Sequence, residues 1–177
     1  NYIDENGSSL LIYASERGYT RVCRILIEKG ADPDLNALEG TTAIMFAAYS
    51  GHEKTVRFLL KSGADPDARA IDGFTSLMVA AQNGHYRVVN LLLEHGARPN
   101  HQSVDGFTAL MVASQNGYLD VVKLLIDKGA VPESGDKQFS TTALIQASLE
   151  GHIEIVEFLL KKGADPNLQA VDGSSAL

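Results

Sequence analysis

The sequence predicts an all-α solenoid of stacked helix–turn–helix units joined by β-hairpin-like loops. Three observations lead there. All five prolines, Pro33, Pro66, Pro99, Pro132 and Pro166, sit in near-copies of one pentapeptide (GADPD twice, GARPN, GAVPE, GADPN) at intervals of 33, 33, 33 and 34 residues. Fifteen of the sixteen glycines fall into three series in the same phase. Within each period two short apolar stripes recur at helical spacing, and a unit of that size cannot bury them without neighbours. The repeats run 1–33, 34–66, 67–99, 100–132 and 133–166, with a partial unit at 167–177, as a single domain over residues 1–177.

The unit at 106–132, GFTALMVASQNGYLDVVKLLIDKGAVP, shows why each element forms. Thr108 is placed to cap a helix, its hydroxyl accepting from an orphan N–H. Leu110, Ala113 and Ser114 share one face of a first helix, which stops near Asn116-Gly117. A second helix spans about Leu119 to Lys128, with Val121, Val122, Leu124 and Leu125 on its apolar stripe. Gly129 stands where a left-handed residue ends a helix. Pro132 then enforces an extended path and biases Val131 the same way. Helices this short are marginal alone, since isolated ones under ~12–15 residues barely persist in water. Small residues such as Ala47, Ala48, Ala80 and Ala81 allow close approach between units, and a one-dimensional stack follows. The extra residue of the 34-residue interval lies between Gly129 and Thr142, so a loop at about Ser134–Thr141 is expected to protrude.

Bulk composition narrows the function. A hydrophobic fraction of 45% with 21% charged residues is ordinary for a soluble domain. No apolar run reaches the ~18 residues of a membrane span, so no membrane insertion is expected. The start, NYIDENGSSL, does not read as a signal peptide. The lone Cys23 excludes an internal disulfide and suits a reducing compartment, intracellular, cytoplasmic or nuclear. A net charge of −7 argues against nucleic acid, whose backbone is met with Lys and Arg.

Thr-opened first helices, Gly-His between helices (Gly51-His52, Gly84-His85, Gly151-His152), a VVxLLL-like second helix and the GADxN-like exit resemble the ankyrin repeat, along the whole chain. One departure is systematic. The family's T-P-L-H is here Thr42-Ala43-Ile44-Met45, Thr75-Ser76-Leu77-Met78, Thr108-Ala109-Leu110-Met111 and Thr142-Ala143-Leu144-Ile145. Loss of the His implies a more apolar contact between repeats. Both ends look like cuts through a longer array, so the chain is expected to be a fragment, monomeric by itself.

Catalytic chemistry finds little support. Cys23 aligns with Val56, Val89, Val122 and Val156, the register of a small core residue. His52, His85 and His152 occupy successive layers ~8–10 Å apart, too far for several nitrogens to meet one zinc at ~2 Å, and read as turn-stabilising. His95 and His101 read as solvent-facing. The aspartates before turn glycines and prolines are ordinary turn chemistry. No phosphate-cradling loop or GxSxG motif occurs. The chain is therefore expected to be no enzyme and to need no cofactor or metal.

The resemblance implies instead a protein partner, a peptide segment or folded domain, on a concave face of hairpin tips and first helices. Positions the fold does not require mark it: the tips Leu38, Ile71 and Val104; the rim acids Glu39, Asp72 and Asp105; Thr41, Phe74 and Phe107 after the turn glycine; and Tyr49, Gln82, Asn83, Gln115 and Asn116 at the helix ends. The rim acids favour a basic or neutral ligand, and the helix-end polar groups are expected to hydrogen-bond its backbone. Phe74 and Phe107 are either binding anchors or packing against neighbouring hairpins. The alternatives are a small-ligand or oligonucleotide receptor, which the charge balance and the absence of Trp disfavour, and a structural or substrate-recruiting arm of a larger enzyme. The resemblance also implies a modification. Asn100 with Leu92, and Asn167 with Leu159, match the spacing preferred by an asparagine hydroxylase acting on such repeats.

Overall fold

The computed structural model describes residues 7–134 and 141–169. Those residues form ten helices in five pairs: α1 (Leu10–Glu16) with α2 (Thr20–Glu28), α3 (Ala43–Tyr49) with α4 (Glu53–Lys61), α5 (Ser76–Gln82) with α6 (Tyr86–Glu94), α7 (Ala109–Gln115) with α8 (Leu119–Asp127), and α9 (Ala143–Leu149) with α10 (Ile153–Lys161). Odd-numbered helices pack on odd, even on even, and each pair on itself, giving two parallel layers. The protruding loop expected at Ser134–Thr141 falls almost wholly on 135–140, outside the described residues.

Each first helix opens as its sequence requires. Thr75, Thr108 and Thr142 are extended, and their hydroxyls accept from the amides of Met78, Met111 and Ile145 at 3.2–3.4 Å. Ser9 does the same for Ile12. Thr42 keeps the extended backbone, but its hydroxyl makes no capping bond and is buried without a partner. The helices stop at glycines of positive φ. After α3, His52 N–H donates back to the carbonyl of Ala47 and Gly51 N–H to that of Ala48, a Schellman closure of the last carbonyls.

The core is continuous through the stack. Ala47, Ala48, Ala80, Ala81 and Ala113 are fully buried, and Leu59, Leu92, Leu125 and Leu159 occupy one register in the even layer. Where the family has His, Met45, Met78, Met111 and Ile145 are at most 4% exposed. These side chains bring no polar group that would need a buried partner. Cys23 is fully buried, within 3.5 Å of the Ser15 hydroxyl.

Between pairs the chain makes narrow hairpins, with antiparallel bridges at Asn36–Thr42 and Arg69–Thr75. Adjacent hairpins are stitched to one another: Ile71 N–H donates to Glu39 C=O at 2.9 Å and Val104 N–H to Asp72 C=O at 2.7 Å. On the loop side, Asp34 Oδ1 accepts from Asp65 N–H, Asp67 Oδ1 from Arg98 N–H and Asn100 Oδ1 from Val131 N–H, all at 2.9–3.0 Å. A side chain 31 residues back thus ties each of three successive loops to the one before it.

Candidate functional site

The hairpins and odd helices place the predicted residues in order. Backbone pairing fixes each tip, so Leu38, Ile71 and Val104 project at 69%, 73% and 72% exposure. Glu39, Asp72 and Asp105 follow them, exposed, and no ion pair among the described residues engages them. Asp72 Oδ1 accepts from Phe74 N–H at 2.9 Å, holding the tight turn.

Behind the tips lies a cleft between the second and third repeats. A cavity of about 310 Å³ is lined by Thr41, Met45, Tyr49, Ala70, Asp72, Phe74, Val79 and Gln82. It adjoins one of about 210 Å³ bounded by Glu16, Thr41, Met45, Phe46, Tyr49 and Val79. Five of the residues read from the sequence, Thr41, Tyr49, Asp72, Phe74 and Gln82, therefore meet in one place. Tyr49 stands 58% exposed beside it.

Other expectations change in detail. Phe74 and Phe107 are half-buried and pack against the core, so they support the fold as well as lining the face. Asn83 and Asn116 donate from Nδ2 to the carbonyls of Val79 and Val112 at 2.8 Å. They cap their own helices, which leaves Oδ1 and the second Nδ2 hydrogen for a ligand. His101 is half-buried rather than solvent-facing, and the burial lowers its pKa. His52, His85 and His152 each place Nε2 2.8–2.9 Å from a carbonyl of the preceding layer, those of Glu16, Tyr49 and Gln115. They act between repeats, not within one turn.

Phe46 and Val79 were not singled out from the sequence, and Met45 was read only as a contact between repeats. The signal was there: the register of Phe46 continues as Val79, Val112 and Gln146, a changing set at a position beside the constant core.

A second, polar cavity of about 670 Å³ opens among the loops of the third and fourth repeats, lined by Asp65, Asp67, Arg69, Arg98, Asn100 and His101 among others. Its cations are committed. Arg98 Nε donates to Asp67 Oδ2 at 2.8 Å, and Arg69 Nη2 to the Gln102 carbonyl at 2.6 Å. Asn100 is exposed, with Nδ2 donating to Gly129 C=O and Oδ1 accepting from Val131 N–H. Asn167, also exposed, bonds within its own turn to Asp165. Among the described residues no group of three or more His, Cys, Asp or Glu is placed to hold a metal ion.

A family model described as ankyrin repeats (3 copies) matches residues 1–70 and 77–170. The chain belongs to the ankyrin repeat family. Ankyrin repeats are generally protein–protein interaction modules, typically without catalysis. No curated protein matches the chain. Among the described residues of this ankyrin array, no helix is long and apolar enough to cross a membrane.

Proposed function

We propose that this ankyrin array binds a protein, through a peptide segment or a folded surface, on the concave side of residues 36–116. The observation that carries this is the row Leu38, Ile71 and Val104. Three large apolar side chains stand more than two-thirds exposed where the fold asks for none, and Ile71 lies between Ala70 and Asp72, which line the cleft of Tyr49, Phe74 and Val79. Contiguous exposed apolar surface of this kind usually marks an interaction site. The interaction needs no cofactor, and the lone buried Cys23 is compatible with an intracellular setting.

A small-ligand role would use the polar cavity beside Arg69 and Arg98. It is the weaker reading, because Arg98 is paired with Asp67 and the carboxylates of Asp65 and Asp67 line the same space as the two guanidiniums.

The test is a comparative capture with two baits, the chain and its Tyr49→Ala/Ile71→Asp variant, followed by titration of each purified hit. Both substituted side chains are exposed, so the fold is retained. Partners that bind the first bait and lose the second support the proposal. Identical partners with identical affinities would overturn it.

A further inference from the structure

Resting on that reading of the groove, we infer that its ligand is a basic peptide segment in a polyproline II-like conformation. It anchors one large apolar side chain between the second and third repeats and sets lysine or arginine at every third position.

The anchor follows from the walls of the cleft. Phe46 and Tyr49 of α3 face Val79 of α5 across it, with Met45 as the buried floor. One layer on, the positions of Phe46 and Tyr49 are held by Val79 and Gln82, and then by Val112 and Gln115. One layer back the same positions hold Tyr13 and Glu16, so an aromatic stands at both positions only in α3. The recess of about 210 Å³ between these walls suits a single side chain, and the adjoining space of about 310 Å³ has room for the chain that carries it.

The basic character follows from charge. The helices behind the face, AIMFAAY, SLMVAAQ and ALMVASQ, contain no ionisable group except the Tyr49 phenol. The charge beside the groove comes from Glu16 of α1, which lines the cleft with Arg17 3.7 Å away, and from the tips, where Glu39, Asp72 and Asp105 repeat at 33-residue intervals. Arg69 sits on the same hairpin as Asp72, but its Nη2 donates to the Gln102 carbonyl at 2.6 Å. Among the described residues no ion pair engages this row, and a row of like charge is complementary to a cationic ligand; such complementarity selects partners and speeds encounter.

The conformation follows from spacing. Packed helices lie ~8–10 Å apart, and the hairpins share the period of the helices they join. A polyproline II chain advances ~3.1 Å per residue with three residues per turn. Three residues then cover one layer and return to the same side. A flat β-strand would cover the distance but turn alternate side chains away, missing every second carboxylate.

A phage-displayed library of random dodecapeptides, selected on the 177-residue chain, tests this. Recovered peptides are titrated by fluorescence anisotropy at low and high salt against the chain, Tyr49→Ala, the triple variant Glu39→Lys/Asp72→Lys/Asp105→Lys, and its neutral counterpart Glu39→Gln/Asp72→Asn/Asp105→Asn. Circular dichroism checks each fold. The neutral variant keeps an acceptor for Phe74 N–H if the lysine variant fails to fold. The expected peptides carry Lys or Arg at three-residue spacing and one Leu, Ile, Met or Phe. They lose at least about tenfold in affinity with Tyr49→Ala and with the charge variants, and they weaken in salt. Peptides that need Tyr49 but lack the basic spacing, or bind the charge variants unchanged, overturn this inference and leave the groove reading standing. Peptides indifferent to Tyr49→Ala, or an empty selection, overturn both.

Discussion

The imidazole Nε2 of His85 lies 2.8 Å from the carbonyl oxygen of Tyr49, thirty-six residues earlier. The ring also closes over Gly51, where an added Cβ would sit 2.7 Å from His85 Cε1. To meet a carbonyl the ring must carry its proton on Nε2. One side chain thus seals the end of α3 and ties α6 to it, which makes the glycine and the histidine of successive repeats a single device.

That device gives the first prediction. Removing the hydrogen bond in His85→Ala should cost about 1 kcal/mol. Gly51→Ala should cost more, because it adds a left-handed penalty of ~1–2 kcal/mol to the collision with the ring. Urea unfolding of both variants checks the order. A neutral Gly51→Ala would mean that the ring is not seated there.

Cys23 is fully buried, and burial raises its thiol pKa. The thiolate is the reactive form, so a thiol reagent should label no cysteine in the native chain and one after denaturation. Rapid native labelling at neutral pH would show that the first helix pair opens readily.

His101 supplies a pH dependence. Its pKa is lowered in the folded protein, chiefly by burial, so the unfolded chain binds the extra proton more readily. Its contribution to stability is present above the ordinary histidine value near 6.5 and is lost as pH falls below it. The expected result is a stability slope between pH ~7 and ~5 that flattens in His101→Gln. An unchanged slope would assign the dependence to other groups.

Asn100 ties two successive loops together through Gly129 and Val131, and Leu92, eight residues before it, is fully buried. An asparagine hydroxylase needs that segment opened. Intact-mass analysis after incubation should show one added oxygen on the peptide holding Asn100, sooner in a variant that loosens the stack, such as His85→Ala. No added oxygen on that peptide in either protein would dispose of the site.

Much of this was legible in the sequence, because the decisive interactions were local. Thr108 capping Met111, and Gly129 at φ +91°, follow from residues within a few positions of each other. The contacts of His85 were not legible, since its partner is a backbone carbonyl a full period away and a carbonyl leaves no mark in residue identity. The same holds for Asn83, whose amide turned back to Val79 rather than out to a ligand. The tips Leu38, Ile71 and Val104 were readable as surplus to the fold. Phe46 was hidden, because a phenylalanine in an apolar helix reads as core until the neighbouring layer shows which side of it is open.

A partner of this array should sit on the tips and the cleft. The most direct measurement is the affinity of one purified partner for the chain, for Ile71→Asp with Tyr49→Ala, and for Lys54→Glu on the exposed side of α4. Apolar and aromatic anchors of this kind dominate interfaces. The double variant should weaken binding at least about tenfold, ~1.4 kcal/mol, while Lys54→Glu leaves it unchanged. Normal binding by the double variant together with loss in Lys54→Glu would move the site to the opposite face and contradict the account.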